Sequence, residues 1–312
     1  MRLLLAIALS TAILSTVGAY SWFLSRIRHE QEALDDTRRP VLVCSTTQVA
    51  DFARQVVGDR WEVYSVLAPG QDPHLYEIKT GDAVLVARAD LCLENGWHLE
   101  GKDWMRRLAH GSGKTLVTCA DGVKPYLLDE HGTEVHDPHA WFTPKNAAVF
   151  VRNILAAVVA KDSDHKHEYE ARAALYLDQL ARLDQWIKTQ VEQIPPDERI
   201  LVTSHDAFNY FCREYGFTAT SPTGWSTGEE IGGGATLEKR ARVVDSIRQF
   251  GVKAIFVETS VNPKAIRAIA EEAGVKVGGQ LYSDSMGVAG SAGETYLGMM
   301  RENVLTIVEA LK

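Results

Sequence analysis

After residue 40 the chain alternates between two apolar rhythms. Short apolar runs at 41–44, 61–67, 89–94 and 116–119 are separated by segments long enough for helices, such as 48–57 and 79–87. Runs of this length predict buried strands. Strands alternating with helices predict a parallel sheet, because a parallel neighbour is reached only through a crossover. The rhythm returns at 200–204, 217–220, 254–258 and 276–282, with helical stretches between and after these runs. Two α/β halves are therefore expected. Between them a helical period takes over. Pro144 opens a stretch in which Ala147, Val151, Ile154 and Val158 recur, and it stops near Lys161-Asp162-Ser163-Asp164. A second stretch carries Tyr176, Leu180, Leu183, Ile187, Val191 and Ile194, until Pro195-Pro196 forbids continuation. From residue 167 to 194 it predicts a helix about 40 Å long at 1.5 Å per residue. Tyr296, Met300, Val304, Ile307 and Leu311 predict a closing helix. The expected fold class is α/β: two (β/α) lobes with parallel sheets, at 40–143 and 196–312, joined by linking helices at 144–195 that include one long rigid strut.

Residues 1–39 follow a different pattern. Arg2 precedes an apolar stretch from Leu3 to Leu24. Its first part has the length of a signal-peptide core, and Val17-Gly18-Ala19 offers the small residues at which a signal peptidase cuts. Read through Trp22, the same stretch is long enough for a membrane anchor. Both readings export the rest of the chain to a periplasmic or other extracytoplasmic location. No Cys stands at the end of the run to accept a lipid, and 25–39 reads as a charged spacer. The composition adds an exclusion: 33 Lys+Arg against 41 Asp+Glu give a net charge of −8, which disfavours a nucleic-acid partner. Cys44, Cys92, Cys119 and Cys212 show no paired metal-binding spacing, so buried inert thiols are expected, with one disulfide in the first half as the alternative.

The chemistry is concentrated in four loops. Asp72-Pro73-His74 and Asp137-Pro138-His139 are two copies of one tripeptide, far apart in sequence. Pro fixes the backbone ahead of the His, and the Asp can hold either loop amides or the second ring nitrogen, which sets tautomer and orientation. His205 follows the strand predicted at 200–204, and Asp206 is expected to cap the next helix. Asp284 follows the run ending at Tyr282. Both lie at carboxyl ends of parallel strands, where open α/β sheets bind ligands. Convergence of His74, His139, His205 and Asp284 would give three imidazoles and one carboxylate, a donor set for Zn²⁺, Mn²⁺ or Fe²⁺.

With these segments in place, nearly everything after Arg39 resembles the periplasmic solute-binding proteins of zinc, manganese and iron ABC importers, the TroA-like family. The resemblance extends to Leu67-Ala68-Pro69-Gly70, Glu94-Asn95-Gly96, Val257-Glu258-Thr259-Ser260 and the closing Gly293-Glu294-Thr295-Tyr296-Leu297-Gly298-Met299-Met300-Arg301 with Asn303. It implies one divalent metal held in the cleft between the lobes by His74, His139, His205 and Asp284, carried as cargo to the permease subunits of the importer. It also implies binding without catalysis. The chain is expected to work as a monomer. Three departures stand out. Thr143 occupies the place before Pro144 where the family usually has an acidic residue. The Gly-rich loop 223–236, with Glu229 and Glu230, does not follow the family pattern. The long His- and acid-rich loop of many zinc importers is missing, which shifts the reading modestly away from dedicated zinc uptake.

His29, His98, His110, His165 and His167 receive no role, and His131 with His136 could make only an accessory site. Glu258 is expected behind the ligands rather than among them. Two other function classes compete: a secreted metal-dependent hydrolase using the same residues, with Glu229, Glu230 or Glu258 as base, and a surface adhesin. The hydrolase lacks supporting spacing for a general base, and the adhesin has no readable motif. In the transport reading, docking on the permease separates the lobes and weakens the site. Imidazole protonation lowers metal affinity as pH falls through the range near 6.5.

Overall fold

The computed structural model describes residues 38–130, 133–222 and 237–312. The apolar runs form the expected strands: β1 (Val41–Cys44), β2 (Glu62–Ser65), β3 (Leu91–Glu94) and β4 (Leu116–Thr118). They make one parallel sheet in the order β2-β1-β3-β4. Crossovers run through α1 (Thr47–Val57), α2 (Thr80–Ala87) and α3 (Trp104–Gly111). The buried side chains of β1 and β3 face cores on both sides of the sheet: Leu42 and Cys44 one way, Val41 and Val43 the other. Burial on both faces explains why these strands read as unbroken apolar runs.

A short antiparallel hairpin, β5 (Leu127–Glu130) and β6 (Thr133–His136), then leads into the His139 loop. The periodicity did not predict it. The linking helices follow as α4 (Pro144–Lys161) and α5 (Lys166–Val191). Thr143 caps α4 by accepting the Asn146 N–H at 3.2 Å, so a hydroxyl serves where the family usually has an acid. At 26 residues, α5 spans about 39 Å. Its buried stripe is Tyr169, Ala173, Tyr176, Leu180, Leu183, Asp184, Ile187 and Val191. The helix ends at Val191, before the limit set by Pro195-Pro196, and 192–194 close as turns.

The second half repeats the α/β rhythm with β7 (Ile200–Val202), α6 (Asn209–Tyr215), β8 (Thr218–Thr220), α7 (Leu237–Phe250), β9 (Ala254–Glu258), α8 (Lys264–Ala273), β10 (Lys276–Leu281) and α9 (Tyr296–Leu311). Its strands pair in parallel as β7–β8 and β9–β10. Gly278 permits the close approach of α9 to this sheet, since a Cβ there would lie 2.7 Å from the Ala310 Cβ and 2.9 Å from the Ala254 Cβ. One apolar core runs from the first half through the linking helices into the second. At its centre Phe52 of α1 packs against Phe150 of α4, Tyr176 of α5 and Tyr296 of α9, with ring centroids 4.8–6.4 Å apart.

All four cysteines are free and buried. Burial pushes each thiol pKa up, which leaves the sulfurs protonated and inert. Among the described residues, no helix is long and apolar enough to cross a membrane. The signal or anchor read in residues 1–39, the Gly-rich loop 223–236 with Glu229 and Glu230, and His131 lie outside the described residues, apart from 38 and 39.

Candidate metal centre

Each of the four singled-out residues lies in a loop that follows the carboxyl end of a strand: His74 after β2, His139 after β6, His205 after β7 and Asp284 after β10. The fold brings them together. One donor atom from each lies within 4.8 Å of the others, and all four residues are buried.

The two tripeptide loops use their aspartates differently. Asp72 accepts the His74 N–H at 2.8 Å. Asp137 Oδ1 takes both the His139 N–H at 2.9 Å and the ring Nδ1 at 2.7 Å. The other Asp137 oxygen accepts from Asn209 Nδ2 at 3.0 Å, and Tyr210 donates to the Asp137 carbonyl at 3.0 Å, both from α6. The Pro73 carbonyl accepts from the buried Trp104 indole at 2.9 Å and from Gly101 N at 3.3 Å. Gly101 is required there, because a Cβ would sit 1.9 Å from the His74 carbonyl oxygen.

His205 Nδ1 lies 2.7 Å from Glu258 Oε2, and Glu258 Oε1 accepts the N–H groups of Ser204 and His205 at 2.8 and 3.1 Å. Glu258 thus stands behind His205, as the sequence suggested. Asp206 does not cap α6; its carboxylate accepts from Ser221 Oγ at 2.8 Å, because two further residues intervene before the helix begins at Asn209. Asp284 is backed by Ser260, whose hydroxyl lies 2.8 Å from Ser283 Oγ and 3.5 Å from Asp284 Oδ2.

With their Nδ1 atoms turned toward Asp137 and Glu258, His139 and His205 present Nε2 inward. His74 Nε2 lies 3.3 Å from His139 Nε2, which lies 3.3 Å from Asp284 Oδ1, while Asp284 Oδ2 lies 3.2 Å from His205 Nε2. Donors bound tetrahedrally at about 2.0–2.1 Å lie about 3.3–3.4 Å apart; these three contacts have that spacing, while the four donors as a set spread over up to 4.8 Å. The electrostatics are consistent with that chemistry. Burial, together with the other two imidazoles, holds His74 down to about 3 against the pull of Asp284, so its ring is neutral. Burial also opposes charge on His139 and His205, but the carboxylates outweigh it and raise both, Asp137 and Asp284 for His139, Glu258 and Asp284 for His205. Asp284 is driven well below the carboxylate range; the two imidazoles overcome its burial. The fold has gathered carboxylates around three nitrogen donors, one neutral and two favoured in the protonated form, an arrangement in which a divalent cation would take the place of the protons.

The match to known proteins covers almost the whole described chain. The family model for zinc-uptake complex component A, periplasmic (ZnuA), matches residues 42–310. The chain belongs to this family. Its relatives include the manganese-binding lipoprotein MntA of Bacillus subtilis, 37% identical over 279 residues, with 87% of this chain and 89% of the relative covered. The manganese ABC transporter substrate-binding lipoprotein PsaA of Streptococcus pneumoniae is 31% identical over 277 residues, with 86% and 88% covered. Among solved structures, the periplasmic zinc-binding protein TroA of Treponema pallidum superposes with a TM-score of 0.82 at 32% identity, covering 88% of this chain and 99% of TroA. A manganese-bound periplasmic metal-binding protein from Candidatus Liberibacter asiaticus gives 0.77 at 28% identity, with 88% and 100% covered. Members of the ZnuA family are extracytoplasmic solute-binding components of metal ABC importers, so this chain is a binding protein and not an enzyme.

Sequence reasoning found the four converging residues and Glu258, but not Asn209, Gly101 or Trp104. Only a wider comparison of the loops around each histidine, rather than the histidines alone, carries a signal for those.

Proposed function

We propose that His74, His139, His205 and Asp284 hold one divalent transition metal, which this protein captures outside the cytoplasm and delivers to the membrane permease of its importer. The observation that carries this reading is the convergence of four donors from four separate loops to within 4.8 Å. In the same reading, 40–143 and 196–312 act as the two lobes and 144–195 as the link, with residues 1–39 serving export or anchoring, and the protein works as a monomer. The names of MntA and PsaA favour manganese as cargo, and those of TroA and the family model favour zinc. A His₃Asp set binds Zn²⁺ more tightly than Mn²⁺ or Fe²⁺ whichever ion the cell supplies, so affinity alone does not name the cargo.

The hydrolase reading loses its described candidate base, since Glu258 Oε1 accepts the Ser204 and His205 N–H groups and Oε2 lies 2.7 Å from His205 Nδ1. The test is elemental analysis of residues 39–312 purified from their native compartment, beside His139→Ala. About one equivalent of a single divalent metal, lost in the variant, is expected. Native protein without stoichiometric metal, whose stripped form takes up none, would overturn the proposal.

A further inference from the structure

The loop that carries Asp284 belongs to the second half by sequence, yet much of its backbone is held by the first. On its own side, Asn303 grips Tyr282 through both backbone groups, at 2.8 and 2.7 Å. From Ser283 onward the partners change. Gln48 Nε2 of α1 donates to the Ser283 carbonyl at 3.1 Å, and the Met286 N–H donates to Thr47 Oγ1 at 2.9 Å. Gly70 N donates to Ser285 Oγ at 2.7 Å. Further on, Asp51 Oδ2 accepts the Tyr296 N–H at 3.0 Å and so completes the first turn of α9 from across the boundary. Gln48 and Asp51 are only 2% and 5% exposed, so these are buried polar contacts with no water to replace them while the lobes are together. Thr47 also donates to Gln48 Oε1 at 3.0 Å, which fixes the direction in which the Gln48 amide points.

Resting on the metal-binding reading above, we propose that Gln48 and Asp51 are positioning residues for Asp284: a latch on α1 that holds the Asp284 carboxylate against the histidines only while the lobes are closed. The latch touches no metal donor. Gln48 holds the carbonyl just before Asp284 and Asp51 anchors the start of α9 after the loop, so opening the boundary removes both supports together and loosens one ligand before the histidines move. Its effect therefore falls on the rate of release rather than on capture.

The test measures metal release from the full chain, loaded with Zn²⁺ or with Mn²⁺ alone, into excess chelator. Gln48→Met keeps the volume and removes the donor; Asp51→Ala removes the acceptor, and Asp51→Asn keeps one. About tenfold faster release is expected for Gln48→Met and Asp51→Ala, with association unchanged and Asp51→Asn close to wild type. Backbone hydrogen exchange in the metal-free protein provides a second reading, with faster exchange expected at Tyr296 in Asp51→Ala, whose lost carboxylate accepts that N–H. Unchanged release rates, or weaker binding that comes wholly from slower association, would overturn the latch. A wild-type chain that binds neither metal would overturn the metal site instead, and the exchange rates would then decide the latch alone: unchanged protection refutes it.

Discussion

At the scale of single residues, the site depends on carboxylates that never reach the metal position. Asp137 and Glu258 set which nitrogen His139 and His205 present. Replacing such a partner typically costs 10–100-fold in metal affinity, so Glu258→Gln should weaken Zn²⁺ binding by about that factor in competition titrations while the circular dichroism spectrum stays unchanged. The sign of the pH effect follows from the imidazoles. Against burial, Asp137 and Asp284 raise His139, and Glu258 and Asp284 raise His205, so both rings hold a proton to higher pH than a free imidazole, and that proton must leave before a metal binds. Affinity therefore falls as pH drops, starting above the ordinary imidazole range near 6.5. Adding Zn²⁺ to weakly buffered protein at neutral pH should release protons, and a calorimetric proton count of zero would contradict this. The histidines were legible because a repeated tripeptide and strand-end positions mark them. Gln48 and Asn209 were not, because their partners lie 235 and 72 residues away and nothing local distinguishes them from any helical amide.

At the scale of elements, periodicity recovered the strands of both halves and the linking helices, because burial on two faces or on one helical stripe leaves a direct trace in the sequence. The β5–β6 hairpin left none: position 129 pairs with 134 and both are acidic, so charge interrupts any alternation along either strand. The register shift between Val277 and Gly279 falls at Gly278-Gly279, a glycine pair inside a strand. Two substitutions separate element stability from site geometry. Thr143→Ala removes the cap of α4 and should lower unfolding free energy by about 1 kcal/mol with metal affinity retained. Gly101→Ala drives a methyl group into the His74 carbonyl. An overpacking cost of about 1–3 kcal/mol is expected, and here it should be accompanied by weaker metal binding, because the displaced backbone carries a ligand. Denaturant melts paired with metal titrations would tell the two apart.

For the whole molecule, the proposed set of four ligands from both halves makes metal binding a stabiliser of the folded chain. At a free metal concentration of 1,000 times Kd the gain is about 4.1 kcal/mol. The melting temperature should therefore climb with added Zn²⁺ and stop responding in His205→Ala, as read by scanning calorimetry. The α/β rhythm of both halves and the helical link between them were legible from periodicity. How the lobes are fastened was not, because the fastening is a set of pairings across the boundary, and pairing partners leave no periodic signature.

The core centred on Phe52, Phe150, Tyr176 and Tyr296 draws one ring from α1, two from the linking helices and one from the final helix. A chain built this way is indivisible. Severed between 195 and 196, each fragment would carry an open apolar seam where the other had been, and neither should be soluble by itself. Co-expressed, the two pieces should reassemble into a single particle that melts in one step.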